Sequence, residues 1–252
     1  MGRADSAQGT FFWNLYGRCY DSINHSIPYR GLLYELYVSL DLKPGQKILD
    51  AGCGTGNFEK FLSTRNIPPI EIEAIDFSDI MLARAEEKCY GVDFVSFATA
   101  DLNQRLDYPD NTFDRVICSN VIYALKNPAF TLGELLRVLR PGGQLVITNP
   151  KPNFKVAPVV LDHVRRIRNI WNLRKKAITW MKTLILLPTL GLAPILFTIF
   201  VIQRKGRNQE YLFLPLEDFK VLLAENNFEE VEISHTYASQ NWLATAFKQL
   251  QM

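Results

Sequence analysis

Residues 48–56, Ile48-Leu49-Asp50-Ala51-Gly52-Cys53-Gly54-Thr55-Gly56, decide how this chain is read. A short apolar run ends in an acid, and glycine then falls at every second position. Such a loop turns sharply and lets backbone N–H groups approach a ligand without Cβ atoms in the way. The dinucleotide fingerprint asks for glycine three places after Gly54, where Asn57 stands instead. The carboxylate of Asp50 suits a ligand with a cationic amino group better than a pyrophosphate. Working outward, Asp76 closes the next apolar run, 20 residues after Gly56. At that place in an α/β fold a carboxylate can accept both hydroxyls of a ribose. Its alternative use, capping the following helix, is already served by Ser78. Ala100-Asp101-Leu102 follows a third run, where a carboxylate and backbone could meet an adenine edge. Together these features describe a site for an adenosine that carries an amino-acid tail.

The surrounding pattern supplies the frame. Strands are expected at 47–50, 71–75, 93–98, 113–119 and 144–149. Helices are expected from Gly54 to about Thr64, from Ser78 to Lys88 and from about Pro128 to Leu139, with Pro141-Gly142-Gly143 stopping the last. This alternation predicts an α/β fold with a parallel, doubly wound sheet. A helix over 216–225 and strands over 230–234 and 242–247 close it. The first 45 residues are rich in aromatics, including Tyr16, Tyr20, Tyr29, Tyr34 and Tyr37. These residues suit helices packed on the sheet, or a flap over a ligand.

Composition narrows the class. The chain has 252 residues, 48% of them apolar and 21% charged, which excludes a collagen-like, low-complexity or disordered chain. Cys19, Cys53, Cys89 and Cys118 form no CxxC pair and read as buried thiols in a reducing compartment. His25, His163 and His235 are scattered, so no metal site is expected. No secretory leader is read at the N-terminus, although Met1–Ser6 fits the loose pattern for N-myristoylation.

The residues at 48–56, Asp76, Ala100–Leu102, Thr112–Ser119 (TFDRVICS) and Leu139–Gly143 (LRPGG) together resemble the class I S-adenosylmethionine-dependent methyltransferases. The resemblance covers about residues 40–150, with a continuation at 211–248. It implies a Rossmann-like seven-stranded sheet with a reversed last strand, and S-adenosyl-L-methionine as cofactor. It further implies that Asp50, Gly52, Gly54 and Gly56 face the methionine moiety. Asp76 with Phe77 would face the ribose, and Asp101 with Leu102 the adenine. Asn120 would lie near the methionine part and the substrate mouth. Tyr16-Gly17-Arg18-Cys19-Tyr20-Asp21 is similar to the Tyr-Asp segment of quinone-biosynthesis and phospholipid methyltransferases, which adds Tyr16 and Tyr20 to the cofactor set.

Methyl transfer is an in-line displacement at a carbon already activated by sulfonium. Alignment alone supplies ~7–11 kcal/mol in favourable intramolecular models, and a general base is required only for a protonated nucleophile. Tyr20, Asp21, His25 and Tyr123 are candidates for such a base by proximity, each with an ordinary alternative in capping or core packing.

The net charge of +2 hides an uneven split. Residues 151–210 hold 12 basic side chains and only Asp162 and Glu210, a block of +10, while the remainder of the chain is −8. Within it, Thr183–Ile202 are 20 residues without a charge, about 30 Å as a straight helix, the thickness of a bilayer core. A single span would separate two parts of one sheet, and Pro188, Gly191 and Pro194 interrupt it, so a broken or re-entrant hairpin is expected. Upstream, Val160, Val164, Ile167, Trp171 and Ile178 recur near helical spacing among arginines and lysines, a pattern suited to a membrane interface. The alternative is a dry lid over the pocket or a dimer partner. Nucleic acid does not account for the uncharged run.

The sequence therefore predicts three parts. They are an aromatic helical flap (1–45), a methyltransferase core (46–150 and 211–252) and a basic, amphipathic insertion (151–210). The expected activity is methyl transfer to a lipophilic, membrane-resident acceptor, a phospholipid head group or a prenylated quinone-like ring. The expected location is cytoplasmic and membrane-associated, on an anionic surface. The alternatives are a soluble-metabolite methyltransferase with an apolar lid, and an inactive cofactor-binding protein at a membrane. A homodimer is a further expectation for partners.

Overall fold

The computed structural model describes residues 21–186 and 210–250, with Arg204 and Asn208 besides. Tyr16, Cys19, Tyr20 and nearly all of the uncharged run lie outside the described residues.

Seven strands form one sheet: β1 (Lys47–Ala51), β2 (Glu71–Asp76), β3 (Val95–Thr99), β4 (Phe113–Ser119), β5 (Leu139–Pro150), β6 (Phe228–Thr236) and β7 (Asn241–Lys248). Their order is β3-β2-β1-β4-β5-β7-β6. β1 to β5 are parallel, and β7 runs antiparallel to both β5 and β6. Chain order reverses between β1 and β4, and a ligand crevice opens at the carboxyl ends of the strands beside such a switch point. Strand content is apolar because both faces are covered. Leu49, Val116, Leu145 and Ile147 meet one layer, and Ile48, Ile72, Ile117 and Val146 the other.

The helices are α1 (Ile27–Ser39), α2 (Asn57–Leu62), α3 (Asp79–Lys88), α4 (Pro128–Val138), α5 (Val156–Arg168), α6 (Leu173–Leu186) and α7 (Leu216–Glu225). Short 3₁₀ turns occupy Asp21–His25 and Ile122–Ala124. α1 starts with Pro28 in its first turn, a place where no N–H is needed. Its Tyr29, Leu32, Leu33 and Leu36 are buried in the core, so this part of the aromatic N-terminal region packs on the sheet. Ser78 caps α3, its Oγ accepting from Met81 N at 3.3 Å.

Two boundaries differ from the sequence reading. α4 ends at Val138, and the Leu139–Gly143 segment belongs to β5. Leu139 is already extended and pairs with Phe113, so Pro141-Gly142-Gly143 lie inside the strand and do not stop the helix. The apolar spacing from Val160 to Ile178 also does not follow one helix. α5 and α6 are separated by an elbow at residues 169–172, and Ile167 is buried while Trp171 stands out in solvent.

Candidate active site

The glycine loop joins β1 to α2, and its glycines have different tasks. A Cβ at Gly52 would lie 2.4 Å from Val121 Cγ2, and one at Gly56 would lie 2.9 Å from Ala85 Cβ, so close packing excludes side chains there. A Cβ at Gly54, left-handed at φ 57°, would meet no described group within 4 Å. Among the described residues the crest of the loop is open at the strand ends, as a ligand cradle requires. Asp76 stands against that crest, 8% exposed. Its Oδ2 accepts from Gly54 N at 3.0 Å and its Oδ1 from Ser78 N at 3.0 Å. Burial raises its carboxyl above the usual range, against these backbone donors. Phe77, next in the chain, is partly exposed.

Asp50 lies below the loop and faces the carboxyl of Glu59, which is wholly buried on α2. Burial raises Asp50 well above the ordinary carboxylate range, and the neighbouring Glu59 adds to that. Glu59 is itself raised by burial. Neither Glu59 oxygen receives a hydrogen bond from any other described group. Two bare charges at close range would repel without water to screen them, so burial favours a protonated form of this pair. The pair would be relieved by a cation arriving at the strand ends.

The nearby cation in the structure is Lys88, at the end of α3. Its Nζ donates to Asp21 Oδ1 at 2.5 Å, to Asn57 Oδ1 at 2.5 Å and to Thr55 Oγ1 at 3.0 Å. Thr55 Oγ1 also donates to Asp21 Oδ1 at 2.6 Å, and Asn24 Nδ2 to Asn57 Oδ1 at 2.6 Å. The 3₁₀ turn is thus moored to the glycine loop. Burial lowers the Lys88 pKa, and Asp21 opposes that shift.

Asp101 has a different posture. Its Oδ1 accepts from Asn103 N and Nδ2, both at 2.9 Å, and its Oδ2 from Gln104 Nε2 at 3.2 Å. Burial pushes its pKa up, but the Asn103 and Gln104 donors and nearby Lys126 outweigh it and leave the carboxyl below its usual value. Asp101 shapes its own loop. Leu102 is buried, and its carbonyl accepts from Thr131 Oγ1 at 2.7 Å. Asn120, left-handed at φ 58°, sits just past β4 with its N–H bonded to Thr148 O at 3.0 Å.

Of the expected bases, Asp21 is engaged by Thr55 and Lys88. His25 ends the 3₁₀ turn, its pKa lowered by burial and then by Lys182 and Arg30. Tyr123 is buried, its ring 5.2 Å from Tyr211 and 5.4 Å from Phe213. It packs where the chain returns from the insertion. Among the described residues no cluster suited to a metal ion occurs. Sequence reading missed Glu59 and Lys88. Lys88 reads as an ordinary basic residue in a last helical turn, and Glu59 as a solvated acid on a short helix.

Residues 49–147 match the family model described as a methyltransferase domain. The core of this chain resembles class I methyltransferase domains in sequence and shares their seven-stranded fold. S-adenosylmethionine is the cofactor of that class, and the open crest at Gly54, the Asp76 carboxyl and the paired acids below fit a ribose and a cationic tail. Phosphoethanolamine N-methyltransferase 3 of Arabidopsis thaliana is 35% identical over 130 residues, 48% of this chain and 26% of that protein. The ubiquinone/menaquinone biosynthesis C-methyltransferase of Geobacter sulfurreducens is 28% identical over 189 residues, 74% of this chain and 66% of that relative. The chain thus spans about a quarter of the first relative's length. A SAM-dependent methyltransferase of Aquifex aeolicus shares the fold at a TM-score of 0.57 and 18% identity, covering 90% of this chain and 92% of the other.

Proposed function

We propose that this chain transfers the methyl group of S-adenosylmethionine to a lipophilic acceptor taken from a membrane surface, a phospholipid head group or a prenylated quinone-like ring. The observation that carries the membrane part is the elbow between α5 and α6. Trp171 is 97% and Leu173 78% exposed, with Leu161 also outward. Arg165, Arg168, Arg174 and Lys175 are exposed around them. A tryptophan held in water at the elbow, with exposed leucines and four cations on the flanking helices, matches the boundary between head groups and acyl chains, and each cation near an anionic surface adds about 1 kcal/mol. Among the described residues no helix is long and apolar enough to cross a membrane. The contact proposed is an interfacial one.

The bound cofactor would supply a methyl carbon activated by sulfonium. In this reading Asp76 holds the ribose, and the Gly54 crest lets the cofactor lie against backbone. The Asp50–Glu59 pair balances the positive tail, and Lys88 keeps the loop in shape. The domain contributes alignment and dehydration, the terms a displacement of this kind needs most. Relatives that bear on the acceptor are named for phosphoethanolamine and for quinone methylation.

The test is incubation of a total lipid extract with the full chain and methyl-labelled S-adenosylmethionine, followed by mass spectrometry. Label in a lipid supports the reading, and label confined to water-soluble compounds refutes it. A dry lid over a soluble acceptor is a second reading. It is favoured by the inner face of α5, where Val159 and Ile167 are buried and His163 Nδ1 accepts from Ile27 N at 3.1 Å.

A further inference from the structure

At the carboxyl ends of β4 and β5 the sheet carries buried polar groups that its packing does not require. Asn241 begins β7 opposite Pro150, the last residue of β5. Its Nδ2 donates to Asn120 Oδ1 at 2.6 Å, and Thr148 Oγ1 reaches the same oxygen at 3.4 Å. Asn241 is 1% exposed, yet its own Oδ1 receives no hydrogen bond from any described group. Thr236, its partner across the β6–β7 pair, is 2% exposed and its Oγ1 is likewise unbonded among the described residues. Directly paired residues share a face, so both atoms lie on one side of the sheet, the side of Leu243 that α1 covers. A buried acceptor left without a donor costs about 1–3 kcal/mol, which an occupant bringing a donor to these two would recover.

The surroundings describe that occupant. Tyr237 lies edge-on to Tyr29 at 6.4 Å and stacked on Phe154 at 6.2 Å, so three chain segments contribute one aromatic wall. Asn57 of the glycine loop reaches Tyr29 Oη at 3.4 Å, which ties this wall to the cofactor side. Tyr237, Ala238 and Ser239, in the turn over the site, are all left-handed, at φ 52°, 53° and 61°. Such strain in non-glycine residues persists where surrounding structure enforces it, often at ligand sites. Gln240 bonds that turn to the start of the insertion, its Oε1 accepting from Lys155 N at 2.8 Å and its carbonyl from Lys151 N at 3.0 Å.

We propose that Asn241 and Thr236, supported by Asn120, form the acceptor end of the crevice and bind a hydroxylated ring, its O–H donating to Asn241 Oδ1 and its face against Tyr237 and Phe154. The inference rests on the methyl-transfer reading for the meaning of the word acceptor. An amide oxygen can only accept, so the ligand must bring the donor. An amide also takes up no proton, so Asn241 binds and orients the reacting group and is not its base. The turn at 237–240 and residues 151–155 flank the approach, which leads an acceptor from the insertion to the strand ends.

The test compares phenol with anisole, which has the same ring but no O–H, by ligand-observed NMR on the full chain with and without S-adenosylhomocysteine. The wild type should bind phenol at least about 5-fold more tightly than anisole, roughly the worth of one hydrogen bond. Asn241→Leu should erase that preference and Asn241→Asp should keep it. Equal affinity for the two probes in the wild type, as expected if ordered water satisfies these atoms, overturns the proposal. So does a preference that survives both Asn241→Leu and Thr236→Val. Thr236→Val, the smaller change, decides if Asn241→Leu does not fold. Failure of S-adenosylhomocysteine to bind refutes the methyltransferase reading separately, because the probe comparison without it still reports on the subsite.

Discussion

The glycine-loop half of the molecule and the insertion present charge and apolar surface in opposite ways. Around the loop Asp50, Glu59 and Asp76 are turned inward, and Lys88 is covered by the groups it bonds. Across α5, the elbow and α6, Leu161, Trp171, Leu173 and the arginines stand in solvent. A dehydrated charge is strong and specific because water does not compete with it. An exposed apolar and basic surface acquires its energy only against a partner. On the proposed reading the loop half recognises one small polar ligand and the insertion meets an extended surface.

The sharpest break of this contrast is at Asp76. Two charge-assisted hydrogen bonds to ribose hydroxyls, about 1.5–3 kcal/mol each, mean that Asp76→Ala should weaken S-adenosylmethionine binding at least about 100-fold. Calorimetry that returned wild-type affinity would remove Asp76 from the site. Next comes the insertion. Trp171→Ser with Leu173→Ser should lower binding to anionic vesicles by at least about 10-fold, since burying two large apolar side chains contributes about 1.5–3 kcal/mol each. Cofactor affinity should stay at the wild-type level. Co-sedimentation unchanged by the pair, or negligible in the wild type, would make the exposed elbow something other than a lipid contact.

A smaller effect is expected at Lys88. Lys88→Met removes the three hydrogen bonds that tie Asp21, Thr55 and Asn57 together beside the glycine loop. Cofactor Kd should rise about 10-fold, the scale of one charged hydrogen bond. Asp21→Asn should move it in the same direction. The double variant should be no worse than the sum predicts and in practice less, because both members act through one cluster. Additive losses would show that Lys88 and Asp21 act independently.

Most of the frame was legible because period and punctuation agree. The strands at 71–75 and 113–119 and the helix at 216–225 are where apolar runs and turn residues place them. The positions of Asp50 with the loop glycines and of Asp76 in the fold were legible because each acid closes an apolar run that forms a strand. The Leu139–Gly143 segment misled because proline and glycine usually end helices, whereas here pairing to Phe113 had already drawn Leu139 into the sheet. Asn241 could not have been found, since it stands 121 residues from Asn120 and only the β5–β7 pairing brings them together. Lys88 and Glu59 gain their meaning in the same way, from partners in other segments.

The smallest expected effect concerns the proton between Asp50 and Glu59. Unfolded, the two carboxyls titrate near pH 4, while burial raises both in the folded chain. The folded state therefore binds more protons than the unfolded state above that pH. By linkage, stability without cofactor is fully present at low pH and declines as pH rises through the folded value of the pair. Glu59→Gln replaces one acid by an amide that can donate to Asp50, so the decline should flatten. Thermal melts from pH 5 to pH 8 read the difference, a few degrees at about 2–4 °C per kcal/mol for a chain of this size. S-adenosylmethionine should abolish much of the wild-type slope, because a cationic tail favours the deprotonated pair and binding would expel the proton. Equal slopes for wild type and Glu59→Gln would mean that Glu59 takes up no proton on folding, and that the buried pair is not what makes stability depend on pH in this half of the molecule.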